Sequence, residues 1–427
     1  MTARQAPTTD DTRLSHGGPQ PADPPERLAD RIHHDLLFDS ETQEVRASVR
    51  AFADASVAPR GAEIAETQES KTSFPADVFE AMGAAGLFAI PFAAEDGGSG
   101  LINPVCATAV AIEELSYHSS SIGAIYDVHC ILAGNALAAG SETIRARWLR
   151  PLIEGSLIGA FATTEPGASS DLSPHAVRTR AERDASGYLV SGRKRFISNA
   201  PVADLIVVLA NAESGLTLFV VDTSSDGVEI GEPDRKLGNR GQLTADVILD
   251  RVRIPETNRI GGEGQGLRIA LETLTYGRVG IAAAGVGMAQ AAFDRAVAHL
   301  KQREAFGQRL AEFQHWQFRM ADHATRLENA RNLYSKAARL LDAGQRFPEP
   351  EASMAKSYAT TLAVDLARDA IQAMGGYGFL SEVRADGSRF RVEEIYRDSK
   401  IAEIYEGTNE VQKMITARTI FGKEIVG

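Results

Sequence analysis

The period of the hydrophobic pattern changes twice along this chain, and that restricts the folds open to it. From about Ser40 to Glu154 apolar residues recur at three- and four-residue spacings, as in Val45, Val49 and Phe52, or Val78, Phe79 and Met82. Such spacing marks one face of a helix, and Gly83 and Gly86 end the second run. Beyond the loop Glu95–Gly100 come alanine-rich runs at Ala107–Leu115 and Ile131–Ala139. From about Leu157 to Arg253 the period becomes two. Short runs such as Leu205–Val208 and Leu216–Val221 alternate with turn signals at Asp184–Gly187 and Ser224–Gly227. After the glycine-rich connector Gly261–Gly266, long helical patterns return and run to the C-terminus. Helices, then strands, then helices predict a multi-domain α+β chain with a small β domain between two helical ones.

Size agrees with that plan, since 427 residues exceed a typical single domain. The boundaries expected are a disordered tail at 1–38, a helical domain at 39–157, a β domain at 158–266 and a helical domain at 267–427. The apolar fraction of 44% and charged fraction of 24% are those of an ordinary soluble globular protein. A net charge of −12 without a basic block argues against a nucleic-acid or anionic-membrane surface. Two cysteines, Cys106 and Cys130, suit a reducing compartment and exclude a disulfide scaffold. Residues 1–35 show no signal-peptide core and no membrane span, so a cytoplasmic location is expected.

Candidate chemistry gathers in five segments. Near the end, Ile404-Tyr405-Glu406-Gly407-Thr408-Asn409-Glu410 places a carboxylate between an aromatic wall and a glycine that permits close approach. A carboxylate walled off in this way has a raised pKa and becomes a competent general base; an exposed helix-terminal glutamate is the alternative. Phe161–Asp171 concentrates hydroxyls and small residues at the entry to the β region, as a plain turn or as a loop that meets a polar, planar cofactor. Arg195-Phe196-Ile197-Ser198-Asn199 puts a ring and a hydroxyl two apart, on one side of a strand. Arg303 follows a long helix and serves either its dipole or a pyrophosphate, and Gly307 resembles a helix C′ residue. Gln372–Gly378 is a second glycine-dense break. The connector 261–266 does not match G-x-G-x-x-G, so a Rossmann site is not expected. Gly280, Gly285 and Gly287 read as points of close helix–helix contact. No metal site and no nucleophile elbow is expected.

Taken in order, these segments make the chain resemble the acyl-CoA dehydrogenase family from about Asp39 to Phe421. The resemblance rests on Thr164–Asp171 (T-E-P-x-A-x-S-D), Lys194–Asn199 (K-x-F-I-S-N), Arg303–Gly307 (R-x-x-F-G), Gln372–Gly378 (Q-x-x-G-G-x-G) and Ile404–Thr408 (I-Y-E-G-T). It implies an N-terminal helical domain, a central β-barrel or sandwich, and a C-terminal four-helix bundle. It further implies FAD as cofactor and a homo-oligomer, a tetramer built from dimers. By motif match, Phe161, Ala162, Thr163, Thr164, Ser169 and Ser170 would line the flavin. Phe196 would stack on it, with Ile197 beside it and Ser198 supplying a hydroxyl. Arg303, Phe306 and Gln314 would reach the cofactor of a neighbouring subunit, and Gln372, Gly375 and Gly376 its adenylate part, while Thr408 and Glu410 complete the site. Glu406 would remove the pro-R α-proton of a saturated acyl-CoA thioester while the β-hydrogen leaves as hydride to flavin N5, giving the trans-2-enoyl product. Arg278 would orient the site, and Ser170, Tyr405, Gly407 and Arg278 would contact substrate. Electron-transferring flavoprotein is the implied acceptor.

Three positions depart from the family pattern. Thr275 stands where some members carry Asp against the pantetheine, Gln242 replaces a frequent Ser, and Val383–Arg391 is longer than expected and reads as a surface loop. Some members carry the base in the element matching Leu274–Arg278, where this chain has Gly277. The same chemistry on a carrier-protein-bound acyl or aminoacyl group is an alternative, as is an oxygen-using relative, an acyl oxidase or flavin N-hydroxylase.

Overall fold

The computed structural model describes residues 25–28, 37–382 and 389–426. The N-terminal helical region opens with α1 (Ser40–Phe52), capped by Asp39, whose carboxylate accepts from the Thr42 N–H at 2.8 Å. It continues through α2 (Ala58–Glu66), α3 (Ala76–Ala84) and α4 (Pro104–His118); in α2 and α4 proline occupies the first turn, which lacks intrahelical partners for its N–H groups, and Pro75 precedes α3. Then α5 (Ser120–Tyr126) runs straight into a π-helical segment, Asp127–Gly134. The span Ser120–Ala138 has the length and apolarity of a membrane crossing, yet 89% of it is buried within the protein. It is a core element.

The β region forms one eight-stranded sheet. β1 (Gly159–Ala162), β2 (Arg180–Asp184), β3 (Gly187–Ser198), β4 (Leu205–Ala212), β5 (Gly215–Asp222), β6 (Val228–Ile230), β7 (Thr244–Pro255) and β8 (Arg259–Ile260) lie in the order 6-7-3-2-4-5-8, with β1 paired in parallel to β4. One face encloses the sheet's own core: Ala160, Ala162, Ile206, Val208, Phe219, Val221, Val247 and Leu249. Alternate residues, Phe161, Leu205, Val207, Leu209, Leu218 and Val220, belong to the main helical core. A strand buried on both faces reads as a continuous apolar run, which is why Leu205–Leu209 shows no polar alternation.

In the C-terminal bundle, α6 (Gly266–Gln302), α7 (Gln314–Asp342) and α8 (Glu351–Met374) are the long members, joined by α9 (Val392–Ala402) and α10 (Asn409–Phe421). At 37 residues, α6 spans about 55 Å and touches α4, α7, α8 and the π-helical segment. Its glycines set the spacing. A methyl at Gly287 would lie 2.3 Å from the Glu113 carbonyl oxygen, and one at Gly285 would lie 3.0 Å from Ala359. The expected close contacts are therefore present.

Two expectations need amending. The tail expected at 1–38 lies largely outside the described residues, but the described part is docked: Arg27 pairs with Glu114 and with Asp54, and Phe38 is buried. A buried acid, Glu114, attracts that arginine. Val383–Ser388 likewise lie outside the described residues, whereas the end of that supposed surface loop is internal. Phe390 is buried, and Arg391 donates to Glu394 at 2.7 Å and to the His118 carbonyl at 2.8 Å. A guanidinium needs such partners before it can be buried.

Candidate active site

The segment carrying Glu406 links α9 to α10 and reverses the chain through two consecutive left-handed residues, Glu406 at φ 53° and Gly407 at φ 90°. Glycine accepts that conformation freely. Glutamate does so at a cost of about 1–2 kcal/mol, so its surroundings must impose it. They do. Lys356 Nζ donates to the Gly407 carbonyl at 2.9 Å and to Asn409 Oδ1 at 3.1 Å. Gln412 Nε2 donates to the same carbonyl at 2.9 Å, and Ser353 Oγ donates to Gln412 Oε1 at 2.9 Å. Thr408 caps α10, its hydroxyl accepting from the Val411 N–H at 3.4 Å. Glu410 stands exposed on the first turn.

The Glu406 side chain lies against α6. A methyl at Gly277 would sit 2.0 Å from Glu406 Oε2, so a carboxylate on the loop and a side chain on the helix exclude one another. Oε2 has no hydrogen-bond partner among the described residues. Burial raises the Glu406 pKa, against the pull of the neighbouring Asp127 carboxyl group and of the positive charges of Lys356 and Arg278. Burial pushes Lys356 down to about 8. Arg278 is buried and donates to Glu349 Oε1 at 2.6 Å. Tyr405 flanks Glu406, half-buried, its phenol held well above the ordinary range by burial and by the Glu406 charge.

The hydroxyl-rich loop and the Phe196 strand come together. The Arg195 N–H donates to the Thr164 carbonyl at 2.9 Å, and Lys194 Nζ donates to the Thr163 carbonyl at 3.3 Å. Phe161, Ala162 and Thr163 are buried at the end of β1, Thr164 is half-buried, and Ser169 and Ser170 are exposed. Beneath them Glu165 accepts from Arg178 N–H at 2.7 Å, Thr179 N–H at 3.0 Å, Thr179 Oγ1 at 2.6 Å and Lys194 Nζ at 2.9 Å. The glutamate of this loop is therefore a latch.

Simple strand alternation fails at Phe196. Between Lys194 and Ile197 the pairing with β7 slips by one residue, and Phe196 adopts φ 59°. This is a β-bulge, a device that re-aims a side chain. The ring is 61% exposed, with the Arg195 guanidinium 4.3 Å from its centroid. Ile197 is buried and Ser198 half-buried.

Gly307 is not a helix C′ residue. The helix ends at Gln302, and Phe306-Gly307 form the two-residue turn of a small hairpin, Glu304–Ala305 against Gln308–Arg309, with φ values of 54° and 79°. Paired positive φ angles are the hairpin-turn signature, which helix-end reasoning passed over. The turn holds Phe306 96% exposed, and Arg303 and Gln314 are exposed beside it. Gln372, Gly375 and Gly376 are exposed too, and added methyls at the two glycines would meet nothing within 4 Å. These two groups are presented outward rather than towards Glu406.

An exposed ring on a bulge, hydroxyls on a latched loop, and an outward arginine with bare glycines suit a long cofactor having a planar aromatic head and a charged tail. Three family models match the chain: the N-terminal domain of acyl-CoA dehydrogenase over residues 39–156, the middle domain over 160–252 and the C-terminal domain over 264–421. The chain belongs to the acyl-CoA dehydrogenase family. It is a flavin-dependent oxidoreductase with FAD as its cofactor. Among its relatives, the short-chain-specific acyl-CoA dehydrogenase of Clostridium acetobutylicum is 38% identical over 91% of this chain and all of that one. The caffeyl-CoA reductase–Etf complex subunit CarC of Acetobacterium woodii is 35% identical over 91% of this chain and all of that one. A glutaryl-CoA dehydrogenase of Mycobacterium smegmatis, solved in complex with FADH2, superposes with a TM-score of 0.83 at 26% identity, covering 93% of this chain and 98% of its own.

Four residues of this dehydrogenase escaped the sequence reading: Asp127, Lys194, Lys356 and Gln412. Lys194 lay inside a quoted motif. The others lie in apolar or helical runs, where nothing local distinguishes them from solvated or capping side chains.

Proposed function

We propose that this acyl-CoA dehydrogenase removes the α-proton of a saturated acyl-CoA thioester with Glu406, yielding the trans-2-enoyl thioester. The observation that carries the reading is the Glu406 carboxylate itself. It is held on a strained turn by Lys356 and Gln412, is half-buried, and keeps one oxygen shielded from water and unpartnered against Gly277. Such a carboxylate is positioned, sufficiently basic and free to accept a proton. The Glu406 backbone N–H donates to the thioester carbonyl as enolate character develops. Arg278 and Lys356 stabilise the ionised base electrostatically, and Tyr405 with Gly407 shapes the wall the acyl group passes. FAD supplies the hydride acceptor for the β-hydrogen. Phe161–Thr164, Ser169, Ser170 and Phe196–Ser198 would hold its flavin, with Thr408 and Glu410 at the edge.

Phe306 supports an oligomer, since a phenylalanine exposed to this degree has apolar surface to bury. Arg303, Phe306 and Gln314 of one subunit then meet the cofactor of the next, beside Gln372, Gly375 and Gly376. Electron-transferring flavoprotein is the proposed acceptor, as the Etf complex of the Acetobacterium relative suggests.

The test is anaerobic visible spectroscopy of the purified holoenzyme against a panel of saturated acyl-CoA thioesters. Bleaching of the flavin band by one chain length supports the reading and names the substrate. A yellow protein bleached only by carrier-protein-bound acyl groups, or one that turns over only with oxygen, replaces it with that chemistry.

A further inference from the structure

Behind Glu406 lies a second acid that the reaction as described does not use. Asp127 opens the π-helical segment in the middle of the apolar core stretch and is 1% exposed. Neither of its oxygens has a donor among the described residues, apart from a carboxyl group within hydrogen-bond reach: that of Glu406. The notch that admits both is cut into α6. A methyl at Gly280 would lie 2.3 Å from Asp127 Oδ1, as one at Gly277 would lie 2.0 Å from Glu406 Oε2. Residues three apart share a helix face, so two absent side chains make room for two adjacent acids.

Two carboxyl groups so placed, with three of their four oxygens shielded from water, do not both ionise. The proton's location follows from what faces each group. Glu406 faces two cations, Arg278 from α6 and Lys356 from α8. Among the described residues, Asp127 faces only neutral groups besides Glu406: Tyr126 and Cys130 from its own stretch, Tyr276 from α6 and Tyr405 from the loop. Charge is cheaper on the glutamate.

We propose that Asp127 is a positioning residue for the proton abstraction assigned to Glu406: it keeps the one proton of the pair and donates it to Glu406, so that the base stays ionised in a desolvated site. The inference rests on the reading of Glu406 as the base. Burial raises Asp127 far above the ordinary carboxylate range, with the Glu406 charge and its hydrogen bond acting in the same direction. The same hydrogen bond pulls Glu406 down, because it favours the charged form of the acceptor. The two acids titrate as a unit, first to the competent monoanion and only at high pH to the dianion.

The experiment compares wild type, Asp127→Asn and Asp127→Leu as FAD-loaded enzymes. In D127L the base loses its donor while remaining desolvated, so the acid limb of kcat/KM moves up by about one pH unit. In D127N the amide still donates, so the acid limb stays in place. A readout independent of turnover accompanies this: infrared spectra of enzyme labelled with 13C-aspartate, without substrate, at pH 7. Wild type should show a protonated-carboxyl C=O band that shifts with the label and disappears in D127N. A downward shift of the acid limb in D127L would mean that Asp127 is ionised and repels the base, and would overturn the proposal. So would the absence of that band from wild type. Should D127L fail to fold, D127N and the infrared band decide. If wild type turns over no acyl-CoA but the band is present, the pair stands and the reaction assigned to it falls.

Discussion

Two buried acid clusters in this enzyme are built on opposite rules. In the β region, Glu165 meets a cation, Lys194, and accepts four hydrogen bonds. In the helical region, Asp127 meets a like group, Glu406, and three of the four carboxyl oxygens of that pair are buried with no ordinary donor among the described residues. Satisfied groups are stable and inert. The unsatisfied pair costs stability but leaves a carboxylate with capacity to take a proton. Electrostatics show the same contrast. The Lys194 charge and the hydrogen bonds hold Glu165 below its ordinary range despite the opposing effect of burial, whereas burial prevails at Glu406. One cluster holds a loop in place, and the other is the pair to which we assign the chemistry.

That contrast is open to direct attack. The largest expected effect is on rate: Glu406→Gln should lower kcat by about 10³-fold or more while the protein stays yellow and folded, measured by flavin reduction in stopped flow. Near-normal reduction would remove Glu406 from its role. Lys194→Ala should instead strike stability, by about 3–5 kcal/mol, because it strands a buried carboxylate. Denaturant unfolding of the holoenzyme checks this, and an unchanged midpoint would show the latch to be dispensable. Gly277→Ala should cost about 10²-fold in kcat with FAD retained, since the methyl displaces the base by an ångström or more. Full activity in that variant would mean that the notch is not needed. Arg303→Ala should lower FAD occupancy after gel filtration, and unchanged flavin content would separate that arginine from the cofactor.

The smallest effect concerns pH. His129 shares the π-helical segment with Asp127 but is satisfied like Glu165: Nε2 pairs with the Leu152 carbonyl at 3.0 Å, and Nδ1 accepts from the Gly159 N–H at 3.3 Å. Burial lowers its pKa to about 4, from an ordinary 6.5. Between those values the unfolded chain binds more protons, so stability rises with pH there and is lost as pH falls from about 6.5 to 4. The slope is at most about 1.4 kcal/mol per pH unit for one histidine. Thermal unfolding of wild type and His129→Gln across this window should show a shallower slope in the variant. Equal slopes would mean that His129 is protonated when folded.

Much of this was legible in the chain itself. Period changes located the sheet between two helical regions, because a two-residue and a 3.6-residue repeat cannot be confused over long runs. The I-Y-E-G-T segment announced Glu406, since an aromatic, an acid and a glycine in succession are a local arrangement. Other features were not local. The bulge at Phe196 depends on which β7 residue it faces, and the turn at Gly307 on the pairing of two short strands. Asp127 lies in an apolar run some 280 residues before its partner, and a lone aspartate there reads only as an anomaly.

Sequence alone determined the helical–β–helical order, the family and the presence of a well-placed glutamate, because each is written in spacing or in contiguous residue types. Tertiary structure decided that Lys356 and Gln412 hold the loop, that Glu165 is a latch and that Asp127 faces Glu406. Charge and hydrogen bonding act through space. An acid's protonation state is therefore set by neighbours that folding supplies, some of them hundreds of residues away along the chain.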